Sequence, residues 1–146
     1  MKRGFTLIEL LLSITLIAIV STFVFTSFVE YGNQQVFKSA VVEVVSVIKV
    51  ARQKTLSAET TTQFGVYVAT SSLVVFEGSS YSVSNPTNKV FPVPGMSLDA
   101  QLSDGTKTLI FTRLTGAPSA TGTINIGYSR LNSTTTITIQ SAGLIE

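Results

Sequence analysis

Apolar residues dominate the first thirty positions of the chain, and no charged residue lies between Glu9 and Glu30. About twenty residues separate the two carboxylates, and a helix rises about 1.5 Å per residue. This length matches the roughly 30 Å hydrocarbon core of a bilayer. The pattern therefore predicts a membrane-spanning helix.

A second apolar pattern follows the first, with the period of an amphipathic helix. Its members recur at spacings of three and four residues: Phe37, Ala40, Val41, Val44, Ile48 and Ala51. We predict a helix over about residues 33–58, with one face packed on a sheet. The polar stretch at residues 31–35 contains Gly32, and glycine weakens a helix by about 1 kcal/mol relative to alanine. It predicts a soft joint in a continuing helix.

From Thr61 onwards the sequence is rich in Thr, Ser, Gly, Val and Ile, the composition of strands and turns. The alternation predicts strands near residues 63–69, 73–77, 97–102, 107–113, 123–128 and 135–140. Residues 81–95 contain three prolines, so we predict a loop there with at most a short edge strand at 89–91. The fold class is α+β, with a long N-terminal transmembrane helix packed on antiparallel sheet.

The composition of the chain limits the catalytic and metal-binding chemistry that is available to it. The chain has 146 residues, enough for one small domain beyond the membrane segment, and it has neither histidine nor cysteine. The usual metal ligands, the commonest general base and the thiol nucleophile are therefore missing. We expect a protein that is not an enzyme and that needs no cofactor or metal.

Glu9 is the unusual residue of the apolar segment. A carboxylate in a membrane helix costs roughly 2.5 to 3.5 kcal/mol on insertion scales, so a partner or a task is expected for it. A local alternative exists, because Thr6-x-x-Glu9 fits a capping box at a helix start. Lys2 and Arg3 precede the segment, and basic flanks normally stay in the cytoplasm. This charge predicts that the rest of the chain faces the periplasm or the exterior.

The stretch Gly4–Glu9, preceded by Lys2 and Arg3, resembles the class III signal of type IV prepilins and pseudopilins. The resemblance implies that a prepilin peptidase cuts between Gly4 and Phe5 and that Phe5 is then N-methylated. It also implies that Glu9 pairs with the N-terminal amine of a neighbouring subunit in a filament. A conventional secretory leader fits less well, because here the apolar segment is expected to be retained.

The same resemblance divides the chain into a leader (1–4), a transmembrane and polymerisation helix (5–30) and a pilin-like domain (31–146) that is β-rich over 61–146. The globular part is similar to the GspH/FimT group of minor pilins. Four features support that similarity: Ala51–Lys54, then Leu109–Phe111 before Gly116, then Thr123–Gly127, and finally Ile137–Ile139 with Gly143.

The implied function is that of a structural subunit of a type IV pilus or a type II secretion pseudopilus, as a minor pilin or pseudopilin. The implied partners are other pilin subunits, the prepilin peptidase, an inner-membrane assembly platform and, before assembly, membrane lipid. The implied location is the inner membrane with a single span and the C-terminal domain outside, and then the filament. Two alternatives stay open: a non-polymerising, membrane-tethered binding domain, and a DNA-uptake pilin.

The charges argue against DNA as a partner. Of ten basic residues, Lys2 and Arg3 lie in the leader, which leaves eight basic against eight acidic side chains. Binding to duplex DNA depends largely on neutralising phosphates, and a balanced chain offers little of that. DNA-uptake members of the family carry a C-terminal Gly-Arg-x-Arg motif, whereas this chain ends in Gly143-Leu-Ile-Glu146. The basic cluster of Lys49, Arg52 and Lys54 predicts either an anion site or cations that complement a helix C-terminus.

Overall fold

The computed structural model describes residues 6–57, 62–143 and 145. These residues form one helix and seven strands. The helix is α1 (Leu7–Leu56), and the strands are β1 (Phe64–Val68), β2 (Ser72–Glu77), β3 (Lys89–Pro92), β4 (Met96–Leu102), β5 (Thr108–Ile110), β6 (Gly122–Tyr128) and β7 (Ser133–Ile139). The predicted α+β class is confirmed.

The strands form two antiparallel sheets. The first has the order β3-β2-β1-β5 and the second the order β4-β6-β7. The two sheets are joined where the β1–β2 turn meets β4, because the Leu98 N–H donates to the Thr70 carbonyl at 2.7 Å. All seven predicted strands occur within a few residues of their expected bounds. β5 ends at Ile110, earlier than predicted, because the chain turns after Phe111, which pairs with Pro118.

The helix α1 continues through Gly32 without a break. The described residues nevertheless divide into two compact units, one up to Val36 and the other from Phe37. The sequence placed its boundary between residues 30 and 31, a few residues earlier.

The core of the second unit combines one face of α1 with inward residues of both sheets. Phe37, Ala40, Val44, Ile48 and Ala51 are buried, as the helical spacing predicted, and Val41 is half-buried. Val47 is also buried. The sheets contribute large side chains, among them Leu109, Phe111, Ile124, Ile126 and Ile137. Full burial of a side chain of this size contributes about 1.5 to 3 kcal/mol, so this core is the main source of the domain's stability.

A buried hydroxyl joins the end of α1 to the first strand. Thr55 is almost fully buried, and its Oγ1 donates to the Ala51 carbonyl at 3.0 Å. The same oxygen accepts a hydrogen bond from the Phe64 N–H at 3.0 Å. Thr55 therefore satisfies a backbone donor that would otherwise be buried without a partner.

The loop after β2 covers the outer face of the first sheet. Phe76 is buried but lies outside the main core, on the face opposite its neighbours Leu73 and Val75. Tyr81 stacks on Tyr67 with ring centroids 4.2 Å apart and contacts Phe76 at a tilt. This small aromatic cluster fixes the start of the proline-containing segment that leads to β3.

Candidate assembly site

The first part of α1 carries a mainly apolar surface. Every large apolar side chain described between Leu7 and Val29 is exposed. A surface of this kind marks a site of contact with membrane or protein. The helix is also long and apolar enough to cross a membrane.

Three hydroxyl groups within this apolar segment are satisfied by the helix itself. Ser13, Thr15 and Thr22 donate to backbone carbonyls three or four residues earlier, at distances of 2.7 to 3.0 Å. Such internal bonds remove the need for water around a hydroxyl. These residues therefore do not interrupt the apolar character of the segment.

Glu9 lies in the first turn of α1 and is exposed. Its N–H donates to the Thr6 carbonyl at 3.1 Å and lies 3.4 Å from Thr6 Oγ1, so Thr6 caps the helix. The carboxylate takes no part in this cap and contacts no other group in the described part of the chain. Only the threonine half of the predicted capping box is present. Any partner of the carboxylate therefore lies outside the described residues.

Gly4 and Phe5 lie outside the described residues. Cleavage at their junction and methylation of Phe5 remain predictions, as does the pairing of Glu9 with a neighbouring amine.

The basic cluster does not converge on one point. Arg52 points inward, and its Nε donates to the Gly116 carbonyl at 2.9 Å and its Nη2 to the Ala142 carbonyl at 3.3 Å. The Lys54 ammonium lies 5.4 Å from the centroid of the Phe64 ring. Arg52 and Lys54 thus have separate surroundings, whereas Lys49 and Arg52 line one cleft. The three cations do not share a single anion site.

Arg52 meets two glycines at a crowded junction. Gly116 and Gly143 both have left-handed backbones, with φ of 63° and 74°. A Cβ on Gly143 would lie 2.7 Å from Arg52 Nε and 2.8 Å from the Gly116 carbonyl oxygen. Only glycine fits there, and the junction ties the end of α1 to two distant turns.

The carboxylates of the domain are dispersed. Asp99 forms an exposed ion pair with Lys107 at 3.4 Å. Asp104 accepts the Thr106 N–H at 3.0 Å in a turn, and this backbone hydrogen bond lowers the pKa of Asp104. Within the described residues, no three acidic side chains come together as a metal site would require.

Comparison with known proteins supplies the context for this geometry. A family model of the prokaryotic N-terminal methylation motif matches residues 1–25. The crystal structure of the type IV minor pilin FimU from Pseudomonas aeruginosa is similar over 80% of this chain and 90% of that one. Its TM-score is 0.60 and the sequences are 16% identical. No curated protein matches the chain.

The chain carries the N-terminal methylation motif, and its fold is similar to that of a type IV minor pilin. The motif covers the start of the chain, and the structural similarity shows that the domain has the pilin fold. Three of the residues that carried the sequence resemblance come together in this fold. Arg52, Gly116 and Gly143 are distant in sequence but meet at one junction.

Two surface features of the domain were not predicted from the sequence. One is a groove lined by α1 and β3, the helix groove, whose apolar residues are Val42, Val47, Val50 and Phe91. The other is the Leu114 turn, residues 112–116. Valines on the polar face of an amphipathic helix were the available signal for the groove. Nothing in the sequence marked Leu114, because its backbone conformation is set by the tertiary structure.

Proposed function

We propose that this pilin-like protein is a filament subunit, a minor component of a type IV pilus or of a type II secretion pseudopilus. The observation that carries the proposal is Glu9, an exposed carboxylate without a partner in the described chain, at the start of an exposed apolar helix. A carboxylate in this position is costly in lipid and is relieved by a cation on a neighbouring subunit.

The proposed sequence of events begins in the inner membrane. Lys2 and Arg3 stay in the cytoplasm, and the domain faces the periplasm or exterior. The prepilin peptidase removes residues 1–4, and Phe5 becomes the methylated N-terminus. The assembly platform then moves the helix from lipid into a bundle of neighbouring helices, where Glu9 meets the amine of Phe5 on an adjacent subunit.

The similarity to FimU supports the minor-pilin form of this proposal, because FimU is a type IV minor pilin. The sequence resemblance at Ala51–Lys54, Gly116 and Gly143 supports a place in the GspH/FimT group. The features on which the proposal rests are equally compatible with a secretion pseudopilin.

The decisive experiment is isolation of sheared surface filaments followed by mass spectrometry of the subunit N-terminus. We expect a peptide that begins with methylated Phe5. A variant with Gly4→Leu should remain in the membrane as an uncut precursor. A Ser13→Ala variant is a matched control, since it alters the same segment without touching the cleavage site.

The contrary result would be an uncut chain that stays in the membrane while filaments form without it. That result would favour a membrane-tethered binding domain, for which the helix groove beside β3 would be the binding surface.

We also propose that the protein has no catalytic activity and binds DNA weakly or not at all. The balanced side-chain charges of the processed chain and the Lys107–Asp99 ion pair support weak or absent DNA binding. A gel-shift titration checks this, and micromolar binding that falls steeply with added salt would contradict it.

A further inference from the structure

A second cleft, the Arg52 cleft, lies at the C-terminal end of α1. It is lined by Lys49, Arg52, Gln53 and Leu56 of the helix and by Gly143 and Ile145 near the end of the chain. The four helix positions recur at spacings of three and four residues, so they share one face of α1. The volume of the cleft is about 350 Å³. This is near the lower end of the roughly 300 to 1,000 Å³ of ligand sites, so it suits one residue of a partner rather than a folded element.

Arg52 uses only one edge of its guanidinium within the domain. Its Nε donates to the Gly116 carbonyl at 2.9 Å, and its Nη2 donates to the Ala142 carbonyl at 3.3 Å. A guanidinium also carries N–H groups on Nη1. No hydrogen bond joins Nη1 to an acceptor in the described part of the chain. The edge formed by Nη1 and Nη2 therefore has donors left, in the paired geometry that a carboxylate accepts.

The positive charge of the Arg52 cleft has no acidic counterpart among the described residues. Arg52 is half-buried, and both of its partners are neutral carbonyls. Lys49 is exposed and forms neither an ion pair nor a hydrogen bond with a described residue. A cation that is partly removed from water gains more from an anion than an exposed cation does, because the dielectric around it is lower. The cleft therefore favours an anionic ligand.

The negative end of the helix macrodipole does not account for these two cations. A cation serves that purpose when it lies in the last turn, beside the final carbonyls of its own helix. Lys54 is the basic residue of the last turn of α1. Arg52 is bonded instead to carbonyls that lie 64 and 90 residues further along the chain. Lys49 lies about two turns before the end of α1, where the effect of the macrodipole is small.

The apolar walls of the cleft select among anions. Leu56 is exposed, and Ile145 supplies a second apolar side chain. A phosphate or sulfate has hydrated oxygens on every side, and burying them against these walls without hydrogen bonds is costly. The carboxylate at the end of a peptide chain differs, since the adjoining carbon carries a side chain that can be apolar. Such a residue matches the cationic and the apolar parts of the cleft together.

We propose that the Arg52 cleft binds the C-terminal residue of a partner protein whose last side chain is apolar. The free edge of Arg52 holds the terminal carboxylate in a pair of hydrogen bonds, and Lys49 adds a second cation. The Gln53 amide donates to the same carboxylate, and Leu56 and Ile145 contact the apolar side chain. Capture of a terminal carboxylate is a recurring mode of peptide recognition. The proposal does not depend on the filament function, because the whole cleft lies in the second unit.

The test is an NMR titration of the full chain in micelles of a non-ionic detergent. The first probe is the peptide acetyl-Gly-Gly-Leu with a free carboxylate, and the second is the same peptide with a C-terminal amide. We expect the free carboxylate to shift the N–H signal of Gly143 and the Nε–H signal of Arg52, with a Kd below about 1 mM. The amide should bind at least about tenfold more weakly, because it offers no charged acceptor. Equal binding of the two peptides would overturn the proposal.

Two further probes separate a specific site from a general attraction for anions. Inorganic phosphate and acetyl-Gly-Gly-Gly should each bind at least about tenfold more weakly than acetyl-Gly-Gly-Leu, because both lack the apolar side chain. If phosphate binds equally well, the cleft holds any anion. If the glycine peptide binds equally well, the walls have no part in recognition. Either result overturns the proposal, as does the absence of a shift at Gly143 up to about 10 mM peptide.

Two lysine variants locate the site without disturbing the core. Lys49→Gln removes an exposed charge from the cleft and should weaken binding of acetyl-Gly-Gly-Leu by about threefold to tenfold. Lys38→Gln is the matched control, since Lys38 is also an exposed lysine of α1 but lies outside the cleft. It should leave the Kd unchanged. Equal effects of the two variants would mean that the overall charge of the domain attracts the peptide, and the proposal would fail.

A third variant tests the paired hydrogen bond. Arg52→Lys keeps the positive charge but loses the planar fork, so it should weaken binding more than Lys49→Gln does. The unfolding midpoint of the variant shows whether the titration is made on folded protein. A folded Arg52→Lys variant with an unchanged Kd would exclude Arg52 as the carboxylate ligand and overturn the proposal. The assay needs no filaments, so its outcome is independent of the filament experiment.

Discussion

At the scale of single residues, Glu9 has two roles that the sequence alone could not tell apart, one for its backbone N–H and one for its carboxylate. Its backbone N–H belongs to the helix cap formed by Thr6, and its carboxylate is exposed. A substitution at Thr6 therefore tests the cap, and a substitution at Glu9 tests the charge.

We predict that Glu9→Val enters the membrane at least as well as the unsubstituted chain, because a cost of roughly 2.5 to 3.5 kcal/mol is removed. It should be incorporated into filaments poorly, because the charge partner is lost. Thr6→Ala is the control: it weakens the helix start by about 1 kcal/mol but keeps the carboxylate. Immunoblots of membranes and sheared filaments measure both steps, and equal incorporation of Glu9→Val would show that the charge has no assembly role.

We predict that Arg52→Lys lowers the free energy of unfolding by about 1 to 3 kcal/mol, because lysine lacks the fork that reaches two carbonyls. Gly143→Ala should also destabilise the domain, and by less in an Arg52→Ala background, where one of its two close contacts is gone. Gly105→Ala is the matched control, since Gly105 has φ of 70° and open space around it. Denaturant unfolding of the two single variants and of the double variant measures this double-mutant cycle. Strictly additive losses in the free energy of unfolding would contradict a coupling between Arg52 and Gly143.

At the scale of elements, the connection from α1 to β1 depends on Thr55. We predict that Thr55→Val, which keeps the shape, costs about 1 to 3 kcal/mol because the Phe64 N–H loses its buried acceptor. Thr138→Val on the exposed side of β7 should change stability by less than about 0.5 kcal/mol. Equal effects at the two sites would mean that solvent replaces the lost acceptor.

The elements themselves were largely predictable from the sequence. Periodicity identified the buried face of α1, and alternation located the strands, because burial on one side imposes both patterns. The division into two sheets was not predictable, since it depends on which distant strands pair, β1 with β5 and β4 with β6. Within the candidate site, Glu9 was predictable because a carboxylate is costly in lipid. The inward direction of Arg52 was not, because its partners are backbone carbonyls that no sequence pattern marks.

At the scale of the whole molecule, the two units differ in where their apolar side chains lie. The first exposes apolar side chains throughout, while the second encloses its own core. We predict that a shortened chain beginning at Gly32 is soluble and monomeric and unfolds in one cooperative transition. Circular dichroism should show helix and sheet together, whereas a disordered spectrum would mean that the domain depends on the membrane segment.

We predict that Arg52 also prolongs the time for which a subunit stays folded. Its carbonyl partners lie 64 and 90 residues further along the chain, so we expect these bonds to form late in folding. Bonds that form after the transition state slow unfolding and leave the folding rate unchanged. In stopped-flow experiments, Arg52→Ala should therefore unfold about tenfold faster at an unaltered folding rate, as expected when about 1.4 kcal/mol is lost after the transition state. A subunit extracted from lipid under load would gain from this delay, because its domain would outlast the transfer.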